Sequence, residues 1–175
     1  MILRQLRLAM WISRLKRKKE ILFFPKPVNI QEQLADMRTV CICMPADHKY
    51  FYEARSCIQE ISKKNIKITL ILSRELELLA EHHGKTEVYP LLASKPFPIP
   101  KDKIGHIPTA FDVALDLSPE PCPLTAYITG TRGKKLTVGL KSTDLDPFYT
   151  ILVNPAENYS ESVMTLLSVA GLLSE

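Results

Sequence analysis

Residues 40–51 read V-C-I-C-M-P-A-D-H-K-Y-F, and this stretch decides the fold. Val40–Met44 is an unbroken apolar run, as in a strand covered on both faces. Beyond it Phe51, Ala54, Ile58 and Ile61 recur at helical spacing, so one face of the next segment turns toward a core. Strand and helix are joined by Pro45, Ala46 and Asp47, with no glycine in the turn.

The same alternation continues outward. I-K-I-T-L-I-L (66–72) reads as a second strand, β-branched and apolar. R-E-L-E-L-L-A-E-H-H-G (74–84) reads as a helix closed by Gly84, and T-E-V-Y-P-L-L (86–92) as a short third strand. Residues 95–108 form a proline-rich loop unable to hold a regular ladder. A-F-D-V-A-L-D-L (110–117) is a fourth strand, and 121–133 a helix begun by proline. K-K-L-T-V-G-L (134–140) and F-Y-T-I-L-V-N-P (148–155) are strands five and six. A closing helix follows, with Ser160 as its expected N-cap.

Strands alternating with helices predict an α/β fold with a mainly parallel sheet covered on both faces. Right-handed crossovers make it a doubly wound three-layer sandwich, Rossmann-like, with six strands in the order 3-2-1-4-5-6. The expected organisation is a basic helical arm at 1–24, a linker at 25–37 and one domain at 38–175. The length of 175 residues suits a single domain.

Net charge is +4, but its distribution matters more. Residues 1–19 hold Arg4, Arg7, Arg14, Lys16, Arg17, Lys18 and Lys19 and no acid. The remainder carries 16 basic and 19 acidic residues, a net of −3. A nucleic-acid-binding domain usually carries its basic patch on the folded body, so no nucleic-acid partner is expected. The arm reads as a helix over 2–22, with Leu3, Leu6 and Met10 on one side and Leu8, Trp11 and Leu15 on another. Three fates fit it: an anionic membrane surface, packing on its own domain or another subunit, or disorder. No apolar run is long enough to span a membrane, and no signal-peptide pattern is present. Cys41, Cys43, Cys57 and Cys122 have no paired ligand spacing, so free thiols in a reducing compartment are expected, with no metal.

In a doubly wound sheet, ligands bind beyond the carboxyl ends of the strands where the order reverses. That point lies between strands one and four. Its walls are Met44, Pro45, Asp47, His48 and Lys49 on one side, and Asp116, Ser118 and Glu120 on the other. The loop Pro96–Pro108 reaches toward the same edge. Asp47 beside His48 suits acid–base chemistry, but Asp47 also stands where an Asp caps a helix. Asp116 is placed to tie down the adjoining loop or to meet a ligand. His82 and His83 precede a helix end and suit its dipole. T-G-T-R-G-K-K (129–135) resembles a phosphate loop in composition only. It lacks the motif spacing and ends a helix rather than starting one.

F-D-V-A-L-D-L-S-P-E-P-C-P-L-T-A-Y-I-T-G-T-R-G-K-K-L-T-V-G-L (111–140) resembles the middle of the N-terminal domain of the ADP-heptose:lipopolysaccharide heptosyltransferases, glycosyltransferase family 9. That family runs a D-x-x-I-D-L strand, a helix, a small-residue turn with basic residues, then R-x-G-F. The likeness extends loosely over 38–175. It implies the acceptor-side half of a two-domain GT-B enzyme, in a bacterial, cytoplasmic setting. The family's first loop carries a Gly-Asp pair whose Asp is a proposed base; Asp47 takes that place here, with Ala46 in place of the glycine. The expectation is a non-catalytic domain with a binding or assembly role and no cofactor, cytoplasmic or peripheral on the inner face of the membrane. Two alternatives stand beside it: a subunit of a split envelope glycosyltransferase using the crevice near Asp47, and an atypical nucleotide-binding protein.

Overall fold

The computed structural model describes residues 2–21, 29–61, 65–79, 86–91, 104–120, 122–142 and 144–173. Residues 80–85, with His82, His83 and Gly84, and residues 92–103, which include most of the proline-rich stretch, lie outside the described residues. In chain order the elements are α1 (Ile2–Arg17), α2 (Ile30–Leu34), β1 (Thr39–Cys43), α3 (His48–Ile61) and β2 (Lys67–Ser73). A 3-10 helix at Arg74–Leu79 and β3 (Thr86–Leu91) follow. Then come β4 (Phe111–Asp116), α4 (Pro123–Arg132), β5 (Gly133–Leu140), a 3-10 turn at Asp146–Phe148, β6 (Ile151–Val153) and α5 (Tyr159–Val169).

All five strand pairings are parallel and the order is β3-β2-β1-β4-β5-β6, the expected Rossmann-like sheet. Pro90 lies in β3, an edge strand, where a missing N–H costs the ladder least.

The two faces of the sheet are built differently. On one, Val40, Ile42, Ile68, Leu70, Leu72, Val113, Leu115, Leu136 and Val138 form a large aliphatic surface. It packs against Phe51, Ala54, Ile58 and Ile61 of α3 and Val163, Leu166 and Leu167 of α5. On the other the strands present smaller groups, among them Cys41, Cys43 and Ala114, beneath Ala126, Tyr127 and Ile128 of α4. This face leaves room for another layer. Residues 125–130 of α4 are all buried, and α1 covers the outward side of this helix at Tyr127. Trp11 lies 5.0 Å from the Tyr127 ring and 5.6 Å from Phe148. Ile12 and Leu15 are buried in the same cluster, with Leu8 against it. Of the three fates open to the arm, packing on its own domain is the one observed.

Several local expectations change. α1 stops at Arg17, not residue 22. Lys19 adopts a left-handed conformation (φ 55°), and the Glu20 amide donates to the Leu15 carbonyl at 3.0 Å. That closure normally uses glycine, so lysine gave no signal of it. The chain then returns to bury Ile21. The linker contains α2, capped by Asn29. Residues 74–79 form a 3-10 helix rather than an α-helix. Strand six is shorter than expected, since Phe148 belongs to the preceding turn. Asn158, not Ser160, caps α5, its side chain accepting from the Ser160 amide at 3.0 Å. Gly133 ends α4, but Gly130 lies inside it. A Cβ there would stand 2.8 Å from both Phe148 Cδ1 and the Phe148 carbonyl oxygen, and 2.9 Å from Ile21 Cγ2.

Asp112 ties the starts of β1 and β4 together. Its Oδ2 accepts from the Arg38 and Thr39 amides at 2.9 and 3.0 Å and from the Thr39 hydroxyl at 3.0 Å. Lys135 Nζ lies 3.4 Å from Oδ1. Partial burial works against the charge, but these donors and Lys135 together hold its pKa below the ordinary value.

Two outcomes follow for stability. Gly130→Ala gains helix propensity but meets backbone and ring, so we expect a net loss of about 1–2 kcal/mol in urea unfolding. Asp112→Ala should cost roughly 1–3 kcal/mol at neutral pH. Because the folded pKa is depressed, the wild-type contribution is present above about pH 4 and is lost as pH falls through the folded value. The gap between wild type and variant should therefore narrow in acid, read as converging urea midpoints.

Candidate functional site at the strand-order reversal

The strand order reverses between β1 and β4, with Cys43 paired in register with Asp116 at their carboxyl ends. The ladder continues one step, the Leu117 amide donating to the Cys43 carbonyl at 3.0 Å. On the other flank the Met44 amide donates to the Ile71 carbonyl at 2.7 Å. Met44 and Pro45 are buried, so the turn enters α3 over a closed apolar floor, while Asp47, His48 and Lys49 are exposed.

Asp47 is the N-cap of α3. Its Oδ1 accepts from the Lys49 amide at 2.9 Å and the Tyr50 amide at 3.4 Å, and its carbonyl from the Phe51 amide at 2.9 Å. A nucleotide phosphate in such a fold would take those first-turn amides. Here the chain's own carboxylate occupies them. His48 is the first residue of α3. Lys49 extends back over the Tyr50 ring, 5.6 Å from its centroid.

Asp116 is an interior group, 2% exposed. Oδ1 accepts from the Ser118 amide at 3.0 Å, and Oδ2 from the Tyr149 hydroxyl at 2.7 Å. Burial pushes its carboxyl up, against the lowering effect of bonds from Ser118, Thr125 and Tyr149. Tyr149 is raised too, by burial and then by the neighbouring Asp116 charge. Its ring lies over Gly139, where a Cβ would fall 2.5 Å from Cε1. Ser118 Oγ lies 3.2 Å from Thr125 Oγ1, which donates to the Cys122 carbonyl at 3.1 Å. Tyr159, on the opposite side, donates to the Leu117 carbonyl at 2.6 Å and meets the Tyr50 ring at 4.8 Å. Glu120 is exposed beyond this network.

Apart from the buried Met44 and Pro45, the residues expected at the site fall into two sets. Asp116 and Ser118 are joined in one internal network with Tyr149 and Thr125. Asp47, His48, Lys49 and Glu120 lie at the surface, and Asp47 is committed to its helix. Tyr149, Thr125 and Tyr159 were not foreseen. Tyr149 is 33 residues from Asp116 in sequence, and nothing in F-Y-T-I-L-V marks it as a hydrogen-bond donor. Thr129–Lys135 runs from the end of α4 into β5, at the amino edge of the sheet and away from the reversal point. Among the described residues no group of three or more His, Cys, Asp or Glu could hold a metal ion, and no helix is long and apolar enough to cross a membrane. No family model, curated protein or solved structure matches the chain.

The raised pKa of Asp116 sets a pH dependence opposite to that of Asp112. The folded state keeps this proton to higher pH than the unfolded chain does. Its contribution is therefore fullest below the ordinary carboxylate range, about pH 4, and declines as pH rises toward the raised value. Asp116→Asn can keep both contacts, accepting from the Ser118 amide and donating to the Tyr149 hydroxyl oxygen. Urea unfolding across this range should show the decline in wild type and not in the variant.

Proposed function

We propose that this chain is a non-catalytic Rossmann-like module with a binding or assembly role, built like the acceptor-side half of a GT-B glycosyltransferase of the heptosyltransferase kind. It works in a bacterial cytoplasm, at the inner face of the membrane. The observation that carries the non-catalytic reading is the position of Asp47. Its carboxylate accepts from the Lys49 and Tyr50 amides, where a ligand phosphate would otherwise bind. A carboxylate so engaged is also a poor base for an acceptor hydroxyl. Asp116, the other carboxylate at the reversal, is buried against Tyr149 and Ser118. The strand order and the D-V-A-L-D-L strand ending at the reversal support the likeness to the acceptor domain.

Thermal-shift titration with NAD, ATP, ADP-sugars and S-adenosylmethionine tests this reading. A ligand present at a hundred times its Kd adds about 2.7 kcal/mol to stability, enough to move a transition by several degrees. We expect no shift at millimolar ligand. A shift abolished by Asp47→Ala or His48→Ala would overturn the proposal in favour of a split enzyme subunit. A shift indifferent to both would point to nucleotide binding elsewhere on the chain.

A further inference from the structure

α1 has two faces with opposite fates. Leu8, Trp11, Ile12 and Leu15 turn inward onto Tyr127 and Phe148. At helical spacing the opposite face carries Leu6, Met10, Ser13 and Arg17. Leu6 is 57% and Met10 65% exposed, two large apolar groups one turn apart. Arg7 and Arg14 flank them on one side and Lys16 on the other, all exposed. No acidic residue occurs among residues 1–19. Cations in the last turn are explained by the helix dipole, and Arg14, Lys16 and Arg17 fit that account. The dipole does not explain Arg7, near the positive end of the same helix, nor the exposed Leu6 and Met10. An apolar strip one or two side chains wide, rimmed by cations alone, is complementary to a bilayer interface with anionic headgroups.

We infer that the outward face of α1, centred on Leu6 and Met10 and rimmed by Arg7, Arg14, Lys16 and Arg17, seats the folded protein on an anionic lipid surface while Trp11 stays docked inside. The inference rests on the reading of the chain as a binding module at the membrane, and is independent of the strand-order reversal. It also sets orientation. The membrane meets the arm, and the arm lies against α4, so the sheet face covered by α3 and α5 points toward the cytoplasm.

The test is co-sedimentation of the full chain with vesicles of equal parts phosphatidylglycerol and phosphatidylcholine, and with phosphatidylcholine alone. We expect binding to the mixed vesicles, lost in about 0.5 M salt, where screening reaches within a few ångströms. Arg14→Ala and Arg17→Ala should each lower partitioning roughly fivefold, and Leu6→Asp with Met10→Asp should abolish it. Trp11 is the only tryptophan, so its emission reports whether each variant keeps the arm docked. It also reports orientation: brominated lipid should leave bound Trp11 unquenched. Quenching would overturn the assignment, since the arm would then have undocked and inserted its inner face. So would an absence of vesicle binding by the folded wild type. Concentration-dependent self-association removed by the Leu6 and Met10 substitutions, without vesicle binding, would overturn it in favour of a second copy of the chain. Nucleotide binding at the reversal would overturn the reading of the module and leave the vesicle result untouched.

Discussion

The organisation of this domain depends on a buried carboxylate at the end of β4. A buried carboxyl is unfavourable unless hydrogen-bond partners surround it. Asp116 meets that requirement with the Ser118 amide and the Tyr149 hydroxyl. Each contact fixes another element. The Ser118 bond turns the chain from β4 toward α4, and the Tyr149 bond holds the segment before β6 across Gly139. The end of β4 is therefore tied by internal hydrogen bonds to the loop before α4 and to the segment before β6. The same residue type that would serve chemistry when exposed serves architecture when buried.

A second constraint explains the arm. The face of the sheet under α4 includes Cys41, Cys43 and Ala114, and α4 itself contains Gly130. Small groups let α4 sit close, and Phe148 packs directly on Gly130. That leaves Tyr127 and Phe148 in need of cover from outside, which Trp11 supplies. The helix at the start of the chain is thus a fourth layer of the domain. Its docking uses only the inner stripe, so the polarity of the outer stripe is left open to other demands.

Much of the fold was legible because its signals are periodic. The largely apolar runs at 40–44, 66–72 and 110–117 have one good explanation, strands buried on both faces, and crossover handedness narrows the strand order. Asp47 as a cap was legible because it depends on neighbours two and three residues away. Features closed by distant partners were not. The stop of α1 at Lys19 uses a left-handed lysine, α5 is capped two residues before the expected serine, and Gly130 is small for the sake of Phe148 and Ile21. At the site, the position of Asp116 was readable but its partner was not. A tyrosine hydroxyl 33 residues away leaves no periodic trace.

The contrast between the two carboxylates at the reversal sharpens what the fold can do. Asp47 is exposed and bonded to backbone amides. Asp116 is buried, and burial favours its neutral form. The raised group is the inaccessible one, bonded through both oxygens, while the accessible group is held as a helix cap. For chemistry here, a substrate would have to displace either the cap of α3 or the Tyr149 hydroxyl. Displacing the Tyr149 hydroxyl leaves a buried carboxyl without its partner, a cost a binding surface elsewhere on the molecule avoids. That asymmetry turns attention from the crevice to the outer surface of the domain, where Leu6, Arg7 and Met10 of α1 face water.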